Sequence, residues 1–164
     1  MRKTMISILI FAIVLIGFFV FIKVNPPLET GTISIGTSEN KQILILEIGN
    51  KGFGDIKIKR VVVNDNEELV DAKIQVSNPL KGFIVSENFD GKAKEYGMTD
   101  IKDVKLLPHT SPSENLETVN NGTATENDKS YGLTVMNRNP IYEVKIYYTY
   151  LGFSFEKRIP IAKN

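Results

Sequence analysis

The sequence contains no cysteine, no tryptophan and a single histidine. Without cysteine there is no disulfide framework, no thiolate zinc site, no thiol nucleophile, no haem attachment through Cys-x-x-Cys and no acceptor for lipobox-type acylation. An excess of one charge sign is missing as well: 20 Lys and Arg stand against 19 Asp and Glu. Beyond the first two dozen residues, no 3.6-residue apolar periodicity persists for more than two turns, which argues against a helical domain. At 164 residues the chain holds one domain and a little more.

What is present divides sharply. Met5–Ile22 is 18 consecutive residues without a charge, with Ser7 the only polar side chain. As a helix rising ~1.5 Å per residue it covers ~27 Å, close to the ~30 Å hydrocarbon core of a bilayer. Arg2 and Lys3 precede the run and Lys23 follows it. The positive-inside rule therefore predicts a cytoplasmic N-terminus (1–4), a transmembrane signal anchor (5–22) and everything later outside the cell membrane. A cleaved signal peptide would have a shorter apolar region and a small-x-small cleavage site. Here the run continues into Lys23-Val24-Asn25-Pro26-Pro27, so an uncleaved single-pass anchor is the reading adopted.

Residues 1–24 hold three of the basic residues and none of the acidic ones, so the remainder is slightly negative. Its Lys and Arg alternate with Asp and Glu along the chain, and nucleic acid is not an expected partner because polyanion binding needs a clustered basic face. The expected partners are the membrane itself, through the single N-terminal span, and an extracytoplasmic protein or other envelope component.

Pro26-Pro27 stops the helix and opens a linker (23–29). From residue 30 to 164 the chain reads as all-β: Val, Ile, Tyr and Phe in runs of five to ten residues, divided by Gly, Asn and Pro clusters. Strands are predicted at Gly31–Gly36, Gln42–Gly49, Ile56–Asn64, Ala72–Val76, Gly82–Ser86, Ile101–Leu107, Tyr131–Met136, Ile141–Tyr150 and Phe153–Ile161. Leu151-Gly152 forms a two-residue hairpin loop, which fixes the register: Tyr150 faces Phe153, Tyr148 faces Phe155, and Val144 faces Ile159. Lys157 then falls opposite Ile146 on the apolar face, which requires either a bulge or a lysine reaching out past a sheet edge. A second irregularity is expected at Arg60, where alternation gives way to Val61-Val62-Val63. Residues 108–130 carry only Leu116, Val119 and Ala124 as apolar members besides the prolines, and read as a flexible loop.

This spacing of strands and turns indicates an antiparallel β-sandwich preceded by one transmembrane helix. The segments Leu44–Gly52 and Ile56–Asn64 resemble immunoglobulin-like or fibronectin type III-like extracytoplasmic modules. The chain as a whole resembles the small, cysteine-free, membrane-anchored proteins of Bacillus-type Gram-positive bacteria. The resemblance implies an immunoglobulin-like fold and a place at the cell envelope, and carries no activity with it. The cysteine pair and buried tryptophan of antibody domains are absent.

Motifs for catalysis are sparse. His109 would need an orienting carboxylate and an activated serine, and Ser111 and Ser113 are close to it only in sequence. There is no Gly-x-Ser-x-Gly elbow and no phosphate-binding Gly-rich loop. Two acidic groups, Asp65-Glu67-Glu68-Asp71 and Asp90-Glu95-Asp100-Asp103, read as solvated turn acids, and the first lacks the spacing and glycine of an EF-hand loop. No catalytic residue, cofactor or metal ligand is assigned. The expected function is a non-enzymatic, membrane-anchored binding or interaction module. The alternatives are an accessory subunit of a membrane complex and a hydrolase using carboxylates or a loop-held metal. Tyr147, placed outward, Leu151 at the hairpin tip and His109 at the loop edge are the candidate interaction surface.

Overall fold

The computed structural model describes residues 2–35, 41–67, 69–84, 89 and 95–161. Helix α1 (Arg2–Val24) follows from the unbroken apolar run, and almost none of it is covered by the rest of the protein. It is long and apolar enough to cross a membrane. Asn25 ends it: the backbone N–H and the side-chain amide of Asn25 both donate to the Phe21 carbonyl, at 3.0 and 3.1 Å. Pro26 and Pro27 prevent a further turn.

Strand β1 (Leu28–Ile35) begins directly after Pro27, so only three residues separate helix from sheet. The other strands are β2 (Ile43–Asn50), β3 (Ile56–Val63), β4 (Asp71–Ser77), β5 (Met98–Asp100), β6 (Lys105–Leu106), β7 (Ser130–Met136), β8 (Glu143–Tyr150) and β9 (Phe153–Pro160). A second helix, α2 (Pro112–Asn120), lies between β6 and β7. All recorded strand pairs are antiparallel. They form two sheets, ordered β1-β2-β7-β4-β5 and β6-β3-β8-β9.

The period-2 pattern decides what each sheet contributes to the interior. Leu44, Leu46 and Ile48 of β2 and Leu133 and Val135 of β7 meet Ile56 and Ile58 of β3 and Val144, Ile146 and Tyr148 of β8 in one buried cluster. Each fully buried Leu or Ile supplies about 1.5–3 kcal/mol relative to exposure. The first sheet is covered on its outer side too. Ile45 and Thr134 face outward and are buried, the Phe83 ring lies against Gly132, and the Ile84 N–H donates to Gln75 Oε1 at 3.0 Å.

The β8–β9 hairpin has the register expected from its turn, from Tyr150↔Phe153 through Tyr148↔Phe155 to Glu143↔Pro160. Leu151 and Gly152 both have positive φ, 48° and 83°, the type I′ geometry whose twist suits a two-residue hairpin and which glycine adopts without strain. Lys157 pairs with Ile146 with no break in register. No bulge is needed because β9 is the outermost strand, and the half-buried lysine lies next to that edge. The irregularity at Arg60 is present: pairing with β8 shifts between Ile58 and Arg60, and Val61–Val63 beyond it are all buried.

Three expectations need correction. Gly82–Ile84, the described part of the strand predicted at Gly82–Ser86, is not a strand; it crosses the outer face of the first sheet. The strand predicted at Ile101–Leu107 is interrupted by a turn at Ile101–Asp103, closed by Asp103 N–H to Asp100 O at 3.0 Å. That turn carries the chain from β5 in one sheet to β6 in the other. The segment 108–130, read as a loop, contains α2, so the chain is not purely β beyond its N-terminal helix.

Candidate functional site

Helix α2 explains what His109 and the nearby serines do. Ser111 is the N-cap, with extended backbone, Pro112 occupies the first turn, and Ser111 and Glu114 form a reciprocal capping box. The Glu114 N–H donates to Ser111 Oγ at 3.3 Å, and the Ser111 N–H to Glu114 Oε2 at 3.2 Å. Ser111 Oγ donates its own proton to Glu114 at 2.7 Å. Partial burial works against the Glu114 carboxylate, but the Ser111 hydroxyl and amide and then His109 outweigh it and hold its pKa below the ordinary value. His109 Nδ1 lies 3.3 Å from Glu114 Oε1, on a ring that is 73% exposed and a backbone at φ 56°. The sole imidazole therefore does gain a carboxylate partner. The carboxylate, however, bridges histidine and serine, and it is the acceptor of the serine hydroxyl's hydrogen bond. A triad needs the imidazole there.

The start of α2 is held tightly against the first sheet. The Thr110 N–H donates to Asn50 O at 3.0 Å, and Thr110 Oγ1 to Leu107 O at 2.7 Å. A Cβ on Gly49 would overlap the Thr110 carbonyl, so glycine is what permits this approach. The Ser113 N–H donates to Glu29 Oε1 at 3.0 Å. Beyond this contact α2 diverges from β1 and leaves a cleft of about 430 Å³ lined by Thr30, Thr32, Glu47, Pro79, Leu116 and Val119. Leu116 is 61% exposed and Val119 40%.

At the end of the domain farthest from α1, the acidic group around Asp65 resolves into a clamp. The Glu67 carboxylate accepts from Asn137 Nδ2 at 3.0 Å, Asn139 Nδ2 at 3.4 Å and Asn64 Nδ2 at 3.5 Å. These amides, Asn137 first, hold its pKa below the usual carboxylate range. Asn64 also donates to Pro140 O and accepts from the Tyr142 N–H, so the β3–β4 and β7–β8 connections are tied together. Asp71 and Asp100 both turn to Lys73, at 3.7 and 3.1 Å. Glu68 and Asp90 lie outside the described residues. Among the described residues no three His, Asp or Glu side chains converge on a point that would hold a metal.

The opposite end is aromatic. Ile22 of α1 is 2% exposed and belongs to the domain's core cluster. Phe18 meets Phe53 of the β2–β3 loop at 6.4 Å between centroids, Phe19 meets Phe153 edge-on at 5.6 Å, and Phe53 meets Tyr150 at 5.8 Å. Lys23 Nζ stands over the rings of Phe153 and Phe155, at 5.6 and 5.1 Å. Leu151 occupies the hairpin tip at this end, 41% exposed. No family model, curated protein or solved structure matches the chain.

Of the three residues singled out from sequence, Leu151 thus lies at the base of the domain beside the helix, His109 at the start of α2, and Tyr147 on the outer face of the second sheet. Tyr147 is half-buried under the Arg60 guanidinium, 4.6 Å from its ring centroid. Sequence reasoning missed the α2 cleft and the aromatic base. Ser111-Pro112-Ser113-Glu114 was a legible helix start, and Phe53 between Gly52 and Gly54 marked an aromatic at a loop tip.

Proposed function

We propose that this protein is a non-enzymatic interaction module of the cell envelope, carried outside the membrane by α1 on an immunoglobulin-like sandwich, with the α2 cleft as its recognition surface. The observation that carries the reading is the exposed pair Leu116 and Val119 on a capped helix fastened to a sheet, beside a cleft whose rim carries Glu47. Apolar side chains held in a fixed place by a scaffold are what a binding surface requires. The acidic rim favours a partner segment that combines an aliphatic side chain with a cation. The strand order supports the immunoglobulin-like assignment: β1-β2-β7-β4 and β3-β8-β9 follow the constant-type arrangement ABED and CFG, with β5 and β6 as an insertion between the fourth and fifth strands. The cytoplasmic N-terminus follows from Arg2 and Lys3.

Photo-cross-linking in cells tests it. A photoreactive residue at Leu116 of the full-length protein should give a discrete adduct, lost when Val119→Asp or Glu47→Lys is added. Adducts indifferent to both changes would remove the cleft as the recognition surface. Because Ile22 lies in the core, an anchor exchange must keep Phe18–Val24, or it will damage the domain as well.

A further inference from the structure

The contacts between α1 and the domain fix how deep the domain sits. Phe18 lies five residues before Lys23, which is ~7.5 Å along the helix axis, and Phe19 lies ~6 Å below it. Phe53 and Phe153 touch these two rings. If the base of the domain stood clear of the bilayer, Phe18 and everything after it would have to stand clear too. The helix from Thr4 to Gly17 would then offer ~21 Å to a hydrocarbon core of ~30 Å. With the bilayer surface at Lys23, the whole run from Met5 to Ile22 offers ~27 Å and the mismatch nearly vanishes. At that depth the rings touching Phe18 and Phe19 are inside the boundary between headgroups and acyl chains.

The base is built for such a place. Phe53 is 58% exposed, yet its loop is held firmly. Its N–H donates to the Tyr150 hydroxyl at 3.1 Å. Asn50 donates to Gly54 O at 2.7 Å and accepts from the Gly52 N–H at 2.9 Å. A clamped loop that offers a phenylalanine to water gains nothing from the exposure unless something apolar covers the ring. The carboxylate two residues on, Asp55, is paired with Lys105 at 3.4 Å, and Lys23 and Lys51 leave the rim cationic, where lysines can reach up to headgroup phosphates. Aromatic rings below and lysines above is the usual order at a membrane surface.

We infer that the base of the β domain, through Phe53 and Leu151, is a lipid-contacting surface seated in the interface of the bilayer that α1 spans, so that the domain stands on the membrane in one orientation. This rests on the reading of α1 as a membrane span.

The absence of tryptophan makes the test direct, because a single introduced indole is the only one in the protein. Full-length protein is reconstituted in vesicles of phosphatidylethanolamine and phosphatidylglycerol with dibrominated acyl chains, as the variants Phe11→Trp in α1, Phe53→Trp, Leu151→Trp and, at the far end, Arg138→Trp. The expected result is strong quenching of Phe11→Trp, and quenching of Phe53→Trp and Leu151→Trp severalfold above that of Arg138→Trp. Two positions at the base guard against misfolding of either variant, and a urea melt identifies a misfolded one. If Phe11→Trp is quenched while both base variants behave like Arg138→Trp, the domain stands clear of the lipid and the inference falls while the anchor stands. If Phe11→Trp itself escapes quenching, α1 is not in the bilayer and both fall.

Discussion

The two ends of the β domain are held together by opposite chemistry. At the end beside α1, the contacts are Ile22 in the core and a chain of rings from Phe18 and Phe19 to Phe53, Phe153 and Tyr150. At the far end, three asparagine amides converge on the Glu67 carboxylate. A hydrogen-bonded clamp keeps its lone pairs and amide protons satisfied wherever water can also compete, whereas ring contacts gain most where water is excluded. The difference polarises the domain along its strands, with ring contacts concentrated at one end and amide–carboxylate hydrogen bonds at the other.

The largest effects should come from the aromatic end. Ile22→Ala opens a cavity where helix and sheets join and should cost about 2–4 kcal/mol, read as a lower urea midpoint at unchanged slope for the full-length protein in micelles. Ile16→Ala, on the exposed part of α1, should leave that midpoint in place. If the two substitutions were equivalent, α1 would be a mere tether. Next comes Asn50→Ala. It strands the Gly54 and Leu106 carbonyls that Asn50 now serves, at 2.7 and 3.0 Å, and should cost about 2–3 kcal/mol by the same assay. It should also free the Phe53 loop, seen as faster amide exchange at Gly52 and Phe53.

Acid and alkali separate the far end from the core. Burial pushes the Tyr148 hydroxyl, deep between the sheets, up to about 12. The raised value means stability that is complete below the unfolded-state pKa of about 10 and is lost as pH rises from there through about 12. Tyr148→Phe should flatten that alkaline limb in a pH series of thermal melts. The smallest effect belongs to Glu67→Gln. Its lowered pKa means stability present above the unfolded-state value of about 4.3 and lost as pH falls through the folded-state value. The variant, which lacks the charge at every pH, should therefore melt slightly below the parent at neutral pH and converge with it on acidification. An acid limb unchanged by Glu67→Gln would mean that the clamp is not coupled to folding of that end.

Much of the second sheet was legible because its information is local. A two-residue loop fixes the register of β8 against β9, and alternation then assigns every side chain to a face, which is why Tyr150 to Phe153 and Val144 to Ile159 could be paired in advance. The break at Arg60 showed itself in the same way, as a slip in the alternation. The capping box of α2 was local as well, but the polar composition of 108–130 hid it, since a helix that docks mainly by its first turn needs few apolar residues. The candidate cleft was not legible at all: Thr30, Glu47, Pro79 and Leu116 come from four separated stretches of chain.

The sequence by itself determined an apolar helix long enough to cross a bilayer, the long strands with their period and turns, and the absence of cysteine chemistry. Each of these is a property of consecutive residues, set by helix rise, side-chain alternation and turn geometry. Only the tertiary structure decided that α1 is joined to the domain through Ile22 and the rings around it, that α2 lies against the first sheet at Gly49, and that Asn137 and Asn139 reach Glu67. Those are contacts between segments tens of residues apart, and their energy depends on which surfaces the folded chain brings face to face and from which it excludes water.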